Sequence, residues 1–160
     1  APDIDREASA LQVETMSEFE LPKAKERGTG GTVIHPGGWA IPRGFSDAMV
    51  SSGKIVTLAG QVGWNPATHK FETDDFAEQT RQALHNVVTL LLESGARPHD
   101  LVRLTWYVVD RNEYNAARRV VGEAYREIIG QHYPPMTLVV VAGLLELRAR
   151  VEIEATAVIS

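Results

Sequence analysis

From Val151 to Ile159 the chain alternates without a break: Val151, Ile153, Ala155, Ala157 and Ile159 form one set, and Glu152, Glu154, Thr156 and Val158 stand between them. Successive side chains of a strand point to opposite sides, so this period of two predicts a strand with an apolar face and a face carrying both carboxylates, about 6–7 Å apart. That second face is either solvated, the usual fate of charged side chains, or turned to a cleft in which Glu152 handles a proton or a water. Residues 133–142 (Tyr-Pro-Pro-Met-Thr-Leu-Val-Val-Val-Ala) also read as a strand. With residues 143–148 as the connection, the two segments predict a hairpin that brings Met136 and Glu152 to one cleft.

A chain of 160 residues is enough for one domain with a real core and no more. Its 44% hydrophobic and 23% charged residues are those of a globular protein, and the net charge of −5 argues against a nucleic-acid backbone or an anionic membrane as the main partner. The absence of cysteine excludes a disulfide, a thiolate metal site and a cysteine nucleophile, and suits a reducing compartment. No apolar run approaches the roughly 20 residues that span a bilayer, and the N-terminal stretch lacks the basic-then-apolar order of a signal peptide. The expectation is a soluble, cytoplasmic protein.

Residues 1–44 read as an N-terminal arm, charged and ending in Gly28-Thr-Gly-Gly31, followed by a lead-in loop in which Pro36, Gly37, Gly38, Pro42 and Gly44 exclude a helix. The domain proper is expected over residues 45–160. Residues 45–50 and 54–59 are apolar runs around Ser51-Ser-Gly53, a spacing that suits a hairpin. Gly60 then marks either a β-bulge or a place where a ligand or another backbone approaches closely. Residues 65–71 close a turn.

From Asp74 to Ser94 the positions Phe76, Thr80, Ala83, Leu84, Val87, Val88 and Leu91 follow helical spacing, with Asp74 or Asp75 as the start and Gly95 as the stop. Residues 101–109 are a strand. A second helix runs from Asn112 to Gly130 on the stripe Tyr114, Ala117, Val121, Ala124, Tyr125 and Ile128. Strands separated by helices require a crossover connection, which predicts an α+β domain with a mixed β-sheet and two helices packed on one face. Apolar residues on both faces, as at Val139, Val140 and Val141, predict that other copies of the chain cover the second face.

No phosphate-binding loop, dinucleotide fingerprint or His-Glu-x-x-His motif is present. The five histidines share no face, so no metal site is expected. Trp39, Trp64 and Trp106 read as core or loop anchors, because no basic stripe accompanies them.

Six segments carry a resemblance: Phe45-Ser-x-Ala48, Val56-Thr-Leu-Ala-Gly-Gln61, Gln79-x-x-Gln-Ala-Leu-x-Asn86, Gly122-Glu-Ala-Tyr125, Tyr133-Pro-Pro-Met-Thr137 and Val151-Glu-Ile-Glu-Ala-Thr-Ala157. In this order and spacing they resemble the RidA (YjgF) family of reactive enamine/imine deaminases, from Phe45 onward. The resemblance implies a chorismate-mutase-like fold, a homotrimer, a ligand cleft at each subunit interface and no cofactor. It also implies hydrolysis of 2-aminoacrylate-type enamines and imines to a keto acid and ammonia, with Glu152 placing the water.

In that family an Arg on the penultimate strand clamps the substrate carboxylate; here the position holds Met136, followed by Thr137. Methionine has no charge and no strong donor. The family's Tyr near the first strand is Phe45, which keeps the ring and loses the hydroxyl. Gly60, with its free N–H, matches. Arg118 and Arg119 fall about where the family has another cleft residue, and Arg119 is taken as a candidate substitute cation, although both also fit a solvated helix surface.

The expected substrate-binding set is therefore Gly60, Phe45, Arg119, Met136 and Thr137. The expected function is a deaminase of altered specificity, acting on an enamine or imine without a free carboxylate at the clamp. A non-catalytic small-molecule-binding or regulatory trimer is the alternative. A ribonuclease role has the least support in a chain of negative net charge.

Overall fold

Both helices start and stop where side-chain chemistry dictates. The computed structural model describes residues 31–160, so the expected arm falls outside the described residues up to Gly30. Helix α1 spans Phe76–Glu93; the Asp75 carboxylate accepts from the Glu78 N–H at 2.9 Å, and Gly95 leaves the helix at φ 82°. Helix α2 spans Arg111–Ile128. Asp110 caps it by accepting from the N–H groups of Asn112 and Glu113, and Gly130 follows at φ 95°.

The main sheet has four strands: β3 (Lys54–Val62), β4 (Leu101–Val108), β5 (Met136–Val140) and β6 (Val151–Ile159), in the spatial order β3-β6-β4-β5. The α+β reading with two helices on a mixed sheet holds. The predicted hairpin of residues 133–142 with β6 does not form. β5 instead pairs in parallel with β4, Leu104 opposite Met136 and Trp106 opposite Leu138, while β6 lies antiparallel between β3 and β4. The cause is α2. A helical crossover returns the chain in the direction of the strand it left, so β5 adds to β4 and never meets β6.

The predicted hairpin of residues 45–50 with 54–59 also gives way. β2 (Ala48–Val50) pairs with β1 (Thr32–Ile34) in a separate two-stranded sheet. Gly53 diverts the chain at φ 146°, and any side chain there would strike the carbonyl of Ile159.

Alternation sorts the sheet residues into two faces. Val151, Ile153, Ala155 and Ala157 join Leu104, Trp106 and Val108 in the core beneath the helices, with Leu84, Val87 and Leu91 of α1 fully buried against them. Truncating one of these, for example Leu84→Ala, costs about 2–5 kcal/mol. α1 lies on β3 and β6, and α2 leans on α1. Among the described residues no helix covers the opposite face, with Glu152, Glu154, Thr156, Thr57 and Tyr107, and Ile55 on it is 68% exposed.

Two buried polar side chains brace this arrangement. Gln79 donates to the carbonyls of Thr73 and Arg148, each at 3.0 Å, and accepts from the Arg150 N–H at 2.8 Å. Asn86 donates to the carbonyls of Val62 and Trp64, each at 3.1 Å, which holds the end of β3 on α1.

Candidate active site

On the uncovered face, the register between β3 and β6 slips between Leu58 and Gln61, so the bulge read from Gly60 is present. The slip has a steric consequence. A β-carbon added to Gly60 would lie 2.0 Å from Glu152 Oε1, so the Glu152 carboxylate occupies the space that a side chain would fill. Glu152 is half-buried, and among the described residues its carboxylate accepts no hydrogen bond. Its oxygens are therefore unengaged by the described residues.

Glu154, two residues on, has a structural occupation: the Tyr107 hydroxyl donates to its Oε1 at 2.8 Å. That bond holds the phenol in its protonated form and raises its pKa above the ordinary value. Thr137 is exposed on the same face, opposite Thr105. The Thr105 hydroxyl is buried with no partner among the described residues, beside a shallow hollow of about 300 Å³.

On the helix side a second, larger space opens between α2 and the β4–β5 edge, a cavity of about 720 Å³. Trp106, Tyr125 and Tyr133 form its aromatic floor, with Tyr125 and Tyr133 stacked at 5.6 Å between ring centres. Burial pushes the Tyr125 phenol well above its usual pKa, and its hydroxyl donates to the His132 carbonyl at 2.6 Å. Phe45 and Met136 are also in the wall. Phe45 is carried there by Ser46, whose N–H donates to the Pro134 carbonyl at 3.3 Å and whose hydroxyl donates to the Tyr133 carbonyl at 2.5 Å. The lead-in loop is tied down as well, by His35 against Asp47 at 2.6 Å.

Arg43, Arg118 and Arg126 stand exposed around this cavity, and no carboxylate lines it among the described residues. The Arg118 guanidinium lies 6.0 Å from the centre of the Tyr114 ring. Arg119 does not line the cavity; it is exposed and paired with Glu123 at 2.6 Å. The helical wheel holds the missed signal: Arg118 follows Tyr114 by four residues and Arg126 precedes the α2 stop on the same side, whereas Arg119 is turned a further 100°.

One chain thus brings the expected residues together in two groups. Gly60 and Glu152 meet on the bare face; Phe45 and Met136 meet under α2. The expectation that Met136 and Glu152 share a cleft within one chain fails because their strands are separated by β4 and their side chains leave opposite faces. Among the described residues no group of three His, Cys, Asp or Glu is placed to hold a metal ion, and no helix is long and apolar enough to cross a membrane.

The family model described as Endoribonuclease L-PSP matches residues 40–159. The chain belongs to the RidA (YjgF) family. Among RidA-family relatives, the 2-iminobutanoate/2-iminopropanoate deaminase of Dermatophagoides farinae is 30% identical over 118 residues, covering 74% of this chain and 88% of that protein. A Rid-family protein of unknown function from Yersinia pestis has a solved structure that superposes with a TM-score of 0.72 at 32% identity, over 81% of this chain and 99% of that one. The solved structure of TdcF from E. coli with bound serine gives 0.60 at 27% identity, over 87% and 100% of the two chains. The RidA fold of these neighbours is the one described above.

Proposed function

We propose that this chain is a hydrolytic deaminase of reactive imines and enamines, working as a homotrimer whose sites are completed between copies. The observation that carries it is the Glu152 carboxylate, seated in the vacancy of Gly60 with its oxygens unengaged. The name of the Dermatophagoides farinae relative agrees in reaction class: it is a 2-iminobutanoate/2-iminopropanoate deaminase.

An enamine first takes a proton at its β-carbon and gives one up from nitrogen to the solvent, which makes it the imine. A water oxygen then bonds to the imine carbon while one water proton passes to Glu152 and on to the nitrogen, giving a carbinolamine. The same carboxylate carries the hydroxyl proton to nitrogen as the C–N bond breaks, so ammonia leaves and a carbonyl remains. In one chain the helix-side cavity and Glu152 lie on opposite faces, so the proposal requires Glu152 of one copy to meet the cavity of the next. The bare sheet face, with Ile55 and Val139 exposed, supplies the apolar surface for that contact.

A non-catalytic binding trimer is the second reading, favoured by Met136 at the clamp position. Ammonia release from imines generated in situ separates the two, since the second reading gives none. The shared site is tested by co-assembling Glu152→Gln with Gly122→Trp, which fills the cavity from α2. Each variant alone is inactive, and random mixing in a trimer restores about one site in four. A mixture as inactive as its parts, or light scattering that gives a mass near the monomer's 17.6 kDa, overturns the shared site.

A further inference from the structure

We infer that the helix-side cavity takes an aromatic 2-imino acid, its ring on the Tyr125–Tyr133 floor and its carboxylate held at the mouth by Arg118 and Arg126. The inference rests on the deaminase reading for the imine group, and on the cavity alone for the rest of the ligand.

Size is the first argument. In one chain the cavity measures about 720 Å³, open on the side where the next copy brings Glu152, which is within the range of pockets that take ligands of many heavy atoms. Shape is the second. Tyr125 and Tyr133 stack with their planes 16° apart, and Trp106, 6.5 Å from Tyr125, is tilted to it by 35°, so the lining offers aromatic faces and edges against which a further ring can pack. Met136 fits the same occupant, because a thioether at the edge of an aromatic ring is a favourable contact and a buried guanidinium there would need a carboxylate beside it.

Charge is the third argument, and it fixes the polarity of the ligand. Arg43, Arg118 and Arg126 line the cavity, and none has a carboxylate partner among the described residues, although the chain as a whole carries −5. Of the other seven arginines among the described residues, Arg81, Arg119, Arg148 and Arg150 are each paired with an acid, and Arg97, Arg103 and Arg111 are unpaired but lie apart from the cavity, so three unpaired guanidinium groups gather at this one place. Unmatched guanidinium groups at the mouth of an apolar cavity recognise an anion by forked, charge-assisted bonds. The clamp has moved from the strand, where position 136 is apolar, to α2.

Binding and turnover are measured separately on the full chain. Calorimetry with 3-phenylpropionate, propionate and 3-phenylpropanamide tests ring and charge without any reaction; the aryl acid is expected to bind about tenfold or more tightly than either comparison ligand. Arg118→Ala and Arg126→Ala each lower that affinity about tenfold, while Arg111→Ala, at the start of α2 and away from the cavity, does not. With imines generated by an amino-acid oxidase, kcat/KM for the phenylalanine product exceeds that for the alanine product.

Equal affinity for propionate, or for the neutral amide, overturns the inference. So does an Arg118→Ala variant that loses assembly but keeps its affinity for the aryl acid, since the guanidinium would then serve a subunit contact. Hydrolysis of the alanine-derived imine without aryl-acid binding sinks this inference and leaves the deaminase reading standing. Aryl-acid binding without any turnover does the reverse.

Discussion

Gly60 and Glu152 are a matched pair: the space left by the missing side chain at the bulge is filled by the carboxylate, 2.0 Å from where a β-carbon would stand. The glycine has no positive φ, so alanine is compatible with its backbone, and the atoms it would meet belong to the Glu152 side chain, which has to turn to another rotamer, and not to backbone. Gly60→Ala is therefore expected to fold with a stability change within about 1 kcal/mol and to lose imine hydrolysis by about tenfold or more. Thermal unfolding and ammonia release measured side by side check both halves.

The neighbouring carboxylates are expected to behave oppositely. Glu152→Gln preserves shape and removes the proton carrier, so hydrolysis falls to background with the assembly intact. Glu154→Gln keeps an acceptor for the Tyr107 hydroxyl and keeps turnover. Full activity in Glu152→Gln would reduce its carboxylate to a structural part.

At position 136, Met136→Arg puts a fork deep in the cavity, close to the floor. Selectivity should move toward small imino acids, read as a rise in kcat/KM for the alanine-derived imine relative to the phenylalanine-derived one. Unfolding of this variant at room temperature would instead assign Met136 to the core that it borders.

Gln79→Ala should be among the costliest polar substitutions in the chain. It strips partners from two carbonyls and one N–H beside a fully buried side chain, for a loss of about 3 kcal/mol in urea unfolding.

The Tyr125 phenol gives an alkaline signature. Its ordinary pKa is 10.0 and burial raises it in the folded chain, so above pH 10 the unfolded chain releases this proton while the folded chain retains it. Stability from this group is complete below pH 10 and falls as pH rises further. Tyr125→Phe should cost about 1 kcal/mol at neutral pH, from the lost bond to the His132 carbonyl, and show a shallower decline above pH 10. Equal slopes for the two proteins would contradict the burial of this hydroxyl.

The helices could be read from residues alone because everything that defines them is local: Asp75 and Asp110 as caps, Gly95 and Gly130 as stops, and an apolar stripe between. The faces of β6 could be read for the same reason. Strand partners could not. Residues 45–59 and 133–159 each look like hairpins over a short window, and both were decided by distant pairings, of β2 with β1 and of β5 with β4. The site inherited that difficulty. Glu152 and Gly60 were legible as single residues, yet their contact depends on a bulge between strands far apart in sequence. Arg118 and Arg119 differ by one position, and only the orientation of α2 separates a cavity-lining cation from a surface ion pair.

The place of β6 in the middle of the sheet sets the order in which the molecule can be built. β3 and β4 touch only through it, and it follows both helices and every other described strand along the chain. As the chain leaves the ribosome, β3 has no partner and β4 has an open edge until residues beyond Val151 emerge. Pairs such as Lys54 with Ile159 then close one of the longest loops available to the domain. Productive folding waits for that strand, and in the interval the half-made sheet exposes the unpaired edges and apolar surface that make folding intermediates prone to aggregate.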